Sequence, residues 1–273
     1  MALSEKVELL GKGLYDGQIP DEITIKSIPT GSELDYVGAE DFDKTMLNEI
    51  LPACIEEDIN PRLLLEIDYQ WVLRCLRFLN YGPYVNVGAI FCDKCGTTSR
   101  GDYIANLSTV GCKTLPEGFV NSLTVSKDEF IDFNKDITFK LPTISRVLAS
   151  REDKQFKDAF GHTNRRFARM CYMITAIGTE KMDPVAIRTY LQKNMSSADF
   201  LLLQDKMSEL DDYGLRAGGT IKCPKCGNED AAFPAFVDER LFRPTVGALR
   251  RWRDDKCGRA GKDLPRNAKQ SVR

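Results

Sequence analysis

Four of the nine cysteines stand in two short repeats, Phe91-Cys-Asp-Lys-Cys-Gly96 and Lys222-Cys-Pro-Lys-Cys-Gly227. Two residues between cysteines let both sulfurs of a pair turn toward one ion, and the glycine that follows supplies the positive φ such a turn requires. One pair gives only two of the four ligands of a structural zinc. The sole histidine, His162, lies far along the chain from both pairs. The economical arrangement is therefore a single four-thiolate zinc site, shared by Cys92, Cys95, Cys223 and Cys226. Lys94 and Lys225 would offset part of the thiolate charge.

Two other readings compete. A redox Cys-x-x-Cys would put its first cysteine at a helix start within a βαβ unit, and Gly96 and Gly227 argue for turns instead. Four inert thiols would be a coincidence, given two repeats that share a trailing glycine. No open ligand position and no adjacent Glu or His other than Glu229 accompanies the knuckles, so the expected zinc is structural and not catalytic. Cys54, Cys75, Cys112 and Cys171 sit in apolar surroundings and read as small core residues, while Cys257 has no partner at knuckle spacing. His162, next to Gly161 at a helix boundary, reads as a cap or surface residue. With no P-loop, dinucleotide fingerprint or nucleophile elbow, the chain is not expected to be an enzyme.

The elements that must position the knuckles follow from periodicity. Residues 1–40 read as an N-terminal β segment around the alternating strand Glu22–Ile28. Residues 41–82 read as a helical segment. There Arg62, Glu66, Gln70, Arg74 and Arg77 form a narrow polar stripe that leaves Trp71 and Leu76 as core. Residues 83–142 read as a β region bearing the first knuckle, with strands at Tyr84–Phe91, Asp102–Leu107, Val120–Val125 and Ile137–Leu141. Residues 143–212 return to helix, with starts signalled by Asp183-Pro184 and by Ser196-x-x-Asp199. Residues 213–253 hold the second knuckle and a short helix at Thr245–Arg253, and 254–273 read as a basic disordered tail. The order predicts an α+β fold, a zinc-ribbon-like β module with an inserted helical block.

Charge is distributed unevenly. The net charge is −2, yet the stretch from Arg250 to Arg273 carries nine basic and three acidic residues. A body of about −8 therefore bears a tail of about +6, a division that argues against a broad nucleic-acid face. No apolar run approaches the length of a membrane span and the N-terminus lacks a signal-peptide pattern, so no membrane partner is expected.

Taken in order, these features resemble the baseplate hub assembly proteins of T-even-type and related contractile-tailed bacteriophages. The resemblance runs from about residue 14 to residue 245. It is carried by the helix from Leu63 to Phe78 with Asn80-Tyr81-Gly82 behind it, by Cys92-x-x-Cys95, and by Ile137-Thr-Phe-Lys-Leu-Pro142. The second knuckle, followed by Leu241-Phe-Arg-Pro-Thr245, completes it. The resemblance implies a late viral protein that acts in the host cytoplasm during assembly of the tail's baseplate hub, by protein–protein contact and without catalysis. Its retention in the virion tail is left open. Phe236, Leu241 and Phe242, in the segment Phe233–Pro244, either face a partner or fold back on the core. The alternative is a zinc-ribbon nucleic-acid-binding accessory factor for viral transcription or replication, using the basic tail and Trp252.

Overall fold

The computed structural model describes residues 3–29, 41–157, 164–234 and 239–257. It opens with an antiparallel hairpin of β1 (Ser4–Glu8) and β2 (Glu22–Lys26), in which Val7 lies opposite Ile23. The alternation of β2 sends Ile23 and Ile25 to one face, where both are fully buried. β1 escapes sequence reading because Val7 is its one buried residue; its pairing comes from β2.

The expected helical segment is interrupted. α1 (Phe42–Thr45), a π-helical stretch (Met46–Ile50) and α2 (Leu51–Cys54) wind onward to Ile55, which is extended and bridges Ile25. Pro61 opens only a short 3-10 turn, and Asn60 before it is extended. A proline clashes with a helical residue preceding it and cannot continue the hydrogen-bond ladder, so the helix stops and restarts.

The restarted helix, α3 (Glu66–Tyr81), is the axis of the body, with Val72, Leu73 and Leu76 fully buried. Its polar residues depart from the expected stripe. Arg77 is fully buried, and its guanidinium donates to the carbonyls of Gly82 at 2.7 Å and Tyr84 at 2.6 Å. Asp68 is also fully buried and accepts from the amides of Leu10 at 2.5 Å and Gly11 at 3.1 Å, and from the Tyr15 hydroxyl. Trp71, expected in the core, is only half-buried, with its indole N–H reaching the Glu8 carbonyl at 3.1 Å.

After Gly82, β3 (Tyr84–Cys92) and β4 (Thr97–Asn106) form a hairpin, followed by β5 (Cys112–Lys113), β6 (Leu123–Val125) and β7 (Ile137–Phe139). The inserted block contains α4 (Ile144–Glu152), α5 (Arg165–Met173), β8 (Ile174–Ile177), α6 (Pro184–Asn194) and α7 (Ser197–Asp211). It is thus not purely helical. Ile174 and Ile177 are buried where β8 pairs with β7, which would otherwise leave an open edge. Asp183 and Ser196 cap α6 and α7 as the sequence predicts.

Asp199, however, does not complete a capping box by reaching back to the Ser196 amide. Its carboxylate accepts from the amides of Ile131 at 2.6 Å, Asp132 at 3.2 Å and Phe133 at 3.0 Å, and from the Ser196 hydroxyl at 3.0 Å. Burial opposes its ionisation, but these four donors outweigh it and hold the carboxyl below its ordinary 3.8.

The chain then returns through β9 (Gly214–Leu215), β10 (Gly218–Ile221) and β11 (Ala231–Pro234) to α8 (Val246–Lys256). Four strands form one antiparallel sheet in the order β10-β11-β3-β4, and β6-β7-β8 form another. The architecture is α+β. Phe233, Leu241 and Phe242 are buried, with the Phe242 ring 5.9 Å from that of Phe42. Phe233, Leu241 and Phe242 therefore fold back on the core; Phe236 lies outside the described residues.

α8 continues to Lys256, beyond the boundary expected at Arg253, because its last turn has partners. The Tyr84 hydroxyl donates to Asp255, Arg251 stacks over the Tyr84 ring at 5.0 Å, and the Trp252 ring fills the space over Gly82. Gly82 has φ +67°, and a Cβ there would lie 2.3 Å from the indole. The rest of the tail, 258–273, lies outside the described residues.

Deletion of 254–273 is expected to lower the melting temperature clearly, whereas deletion of 258–273 leaves it unchanged; equal curves for the two truncations would contradict the docking of α8. Because the folded Asp199 carboxyl titrates below its unfolded value, its contribution is complete above pH 3.8 and is lost as pH falls through the folded value. Asp199→Asn should therefore lower stability at neutral pH and shrink its loss on acidification, as measured by urea melts from pH 7 to pH 3.

Candidate metal centre

Cys92 is the last residue of β3, and the turn through Cys95 and Gly96 leads into β4, with Thr97 opposite Cys92. The second turn leaves β10 at Ile221 and returns at Ala231. In it the Cys223 amide donates to the Asn228 carbonyl at 2.6 Å, and the Gly227 amide to the Cys223 carbonyl at 2.9 Å. Gly96 and Gly227 have φ +61° and +73°, the left-handed values expected from the sequence. Each knuckle is thus the tip of a hairpin, and the hairpins lie edge to edge with Ala232 opposite Phe91.

That pairing brings all four sulfurs within 4.8 Å of one another. Cys92 Sγ is 3.6 Å from Cys226 Sγ, and Cys95 Sγ is 3.9 Å from Cys223 Sγ. These separations are too long for a disulfide, whose sulfurs lie about 2.05 Å apart. They match the edge of a tetrahedron with metal–sulfur bonds of about 2.3 Å, which is about 3.8 Å. The four residues named from sequence are therefore together, in a geometry compatible with a metal ion. Among the described residues this is the one cluster of three or more potential ligands.

Cys92 and Cys223 are buried beside Ala231, Cys95 is half-buried and Cys226 is exposed. The Thr97 hydroxyl lowers the Cys95 thiol to about 6. The Cys226 backbone and the nearby Lys225 amide pull Cys223 down as well. At Cys226 the Asn228 amide acts in the same direction, but burial and the three neighbouring sulfurs outweigh it and push the thiol up to about 11. Four sulfurs this close cannot all carry charge without a cation among them.

The surroundings bind the two turns to each other. Lys225 Nζ donates to Thr97 Oγ1 at 3.1 Å, across the two knuckles, and Asn228 Nδ2 lies 3.8 Å from Cys92 Sγ. Thr97 and Asn228 carried no signal in the sequence beyond each standing directly after the glycine of a knuckle. Glu229 is paired with Lys222 at 3.1 Å. Cys54 and Cys171 are buried as expected, Cys75 and Cys112 are half-buried, and His162 lies outside the described residues.

No helix among the described residues is long and apolar enough to cross a membrane. No curated protein and no solved structure matches the chain. A family model described as T4 bacteriophage base plate protein matches residues 10–238, from the loop that Asp68 anchors, through both knuckles, to just past β11. The chain belongs to the T4 bacteriophage base plate protein family.

Proposed function

We propose that this protein acts in assembly of the baseplate hub of a contractile phage tail, as a non-catalytic component working by contact with other tail proteins. In this reading Cys92, Cys95, Cys223 and Cys226 hold one structural zinc ion, and the β10-β11-β3-β4 sheet is a zinc-ribbon-like module that carries the inserted helices. The protein would meet its partners in the host cytoplasm and take its place in the tail baseplate. The family match over most of the chain supports the setting. The observation that carries the zinc assignment is the set of four sulfurs within 4.8 Å of one another.

Each ligand would be supplied by a hairpin tip whose fold is already fixed by backbone bonds and a left-handed glycine. An all-sulfur set leaves no coordination position for water, which suits a clasp better than a reaction centre. A bound zinc of this kind contributes on the order of 10 kcal/mol to folding. The nucleic-acid reading is weaker, since three of the four basic groups of α8 are already engaged: Arg251 covers Tyr84, Arg253 pairs with Asp254, and Lys256 stacks on Trp252.

Freshly purified, reduced protein should contain one zinc per chain by elemental analysis; two, or none, would exclude the shared site. Cys92→Ser and Cys223→Ser should lower the melting temperature equally, and the double variant no further, because one site can be opened only once.

Co-expression with the same phage's hub and tape-measure proteins, followed by affinity capture, tests the assembly role. Capture of at least one of these proteins is expected. Salt-sensitive DNA binding with no tail protein captured would overturn the reading.

A further inference from the structure

A cleft of about 680 Å³ opens where α3, the knuckle sheet and the inserted helices meet. Its volume falls within the range of about 300–1,000 Å³ typical of ligand sites. Leu107, Val110, Leu141 and Leu210 make an apolar floor, each nearly fully buried.

The charges on its walls are unevenly matched. Glu66 is taken by Arg169, whose Nη2 lies 2.6 Å away, and Asp212 is taken by Lys113. Arg74 and Arg216 remain: neither makes an ion pair among the described residues, and Arg216 shares the field of Asp212 with Lys113, which holds that carboxylate directly. Both are fixed to the same short stretch of backbone. Arg74 Nη1 donates to the Val110 carbonyl at 3.1 Å, and the Arg216 amide donates to the Gly111 carbonyl at 2.9 Å. The Arg216 side chain then lies against Gly111, where a Cβ would be 3.2 Å from its Cδ.

Arg74 is further constrained by its neighbours, with its guanidinium 5.3 Å from the Trp71 ring and 5.1 Å from the Phe78 ring. Its Nε is buried without a hydrogen-bond partner. Burial disfavours its charged form. A half-buried guanidinium without a counter-ion is costly, and an incoming carboxylate would offset that cost.

We propose that this cleft docks an acidic segment of a partner protein, with a carboxylate held between Arg74 and Arg216 and an adjacent apolar side chain seated on the leucine-rich floor. That the partner is a tail protein rests on the function proposed above; the acidic docking itself does not. An extended segment suits the site better than a small anion, because the two guanidiniums flank an apolar surface that an inorganic ion would leave exposed.

The test uses the full chain and two sets of immobilised peptides. One set covers the same phage's baseplate proteins in overlapping windows; the other consists of unrelated peptides alternating Glu with Leu. Bound peptides should carry Asp or Glu beside an apolar residue, and replacing that acid with its amide should weaken binding at least about tenfold. Arg216→Glu should cause a similar loss without lowering the melting temperature, since Arg216 is exposed, and Arg216→Lys should retain part of the affinity.

Absence of binding in both sets would overturn the proposal, as would Arg216→Glu binding as well as the parent, or free glutamate competing as strongly as a peptide. Arg216-dependent binding confined to the unrelated set would uphold the cleft and remove the tail protein as its occupant. Capture of hub proteins undiminished by Arg216→Glu would uphold the assembly role and remove the cleft.

Discussion

In the ladder β3 and β11 pair at Ala232 opposite Phe91, and the candidate metal centre exists only because the two hairpins meet there. Cys95 and Cys223, brought together by that pairing, are 128 positions apart in the sequence. Closing a flexible loop of that length costs about 4 kcal/mol beyond a constant term. Backbone hydrogen bonds contribute about 1 kcal/mol each, so so short a pairing cannot hold the two hairpins on its own. Burial of Phe233, Leu241 and Phe242 against the main core supplies part of what is needed. A zinc clasp, at the magnitude typical of such sites, would exceed the closure cost by itself.

α3 connects this region to the rest through two buried charges that bond outward to backbone. Arg77 takes the carbonyls of Gly82 and Tyr84, where the chain turns from the helix into β3. Asp68, two turns earlier, takes the amides of Leu10 and Gly11 and so fixes the N-terminal loop. A Cβ at Gly11 would fall 2.6 Å from that carboxylate, so the approach depends on glycine. Neither charge pairs with the other. Each would be costly if its backbone partners moved, which ties the start of the first knuckle hairpin to the orientation of a single helix.

The features legible in the sequence were those decided within a few residues. Two cysteines and a glycine specify a knuckle turn, Asp183 and Ser196 announce the helices they cap, and β2 alternates in plain view. What was not legible depends on distant partners. Arg77 looks like a member of a solvated stripe, and Asp68 shows no sign of burial, until the carbonyls and amides they bond are known. Asp199 has the spacing of a capping box, yet its carboxylate is spent on a loop 66 to 68 positions away. β8 follows α5 without a break and is a strand because β7, paired with β6 on one side, lacked a neighbour on the other. α8 runs past Arg253 to Lys256 because Asp255 meets the Tyr84 hydroxyl, a contact 171 positions away that leaves no trace in the local sequence. Pro61, by contrast, was a local signal, and the expected helix from 41 to 82 passed over it.

The metal centre and the cleft are not separate features. Arg216 lies two residues before β10, and β10 leads directly into Cys223. On one side β10 pairs with β11; on the other, the Thr109 hydroxyl accepts from the Thr220 amide at 3.2 Å and donates to its carbonyl at 3.1 Å. That second contact comes from the short turn containing Leu107 and Thr109, just before Val110 and Gly111, which hold Arg74 and Arg216. A knuckle freed from its partner would release one end of β10, but the register that sets Arg216 opposite Gly111 is held separately, by β5 and β9 with Cys112 opposite Leu215. In the function proposed here, zinc would therefore steady one edge of the cleft through β10, while β5 and β9 keep Arg216 in place.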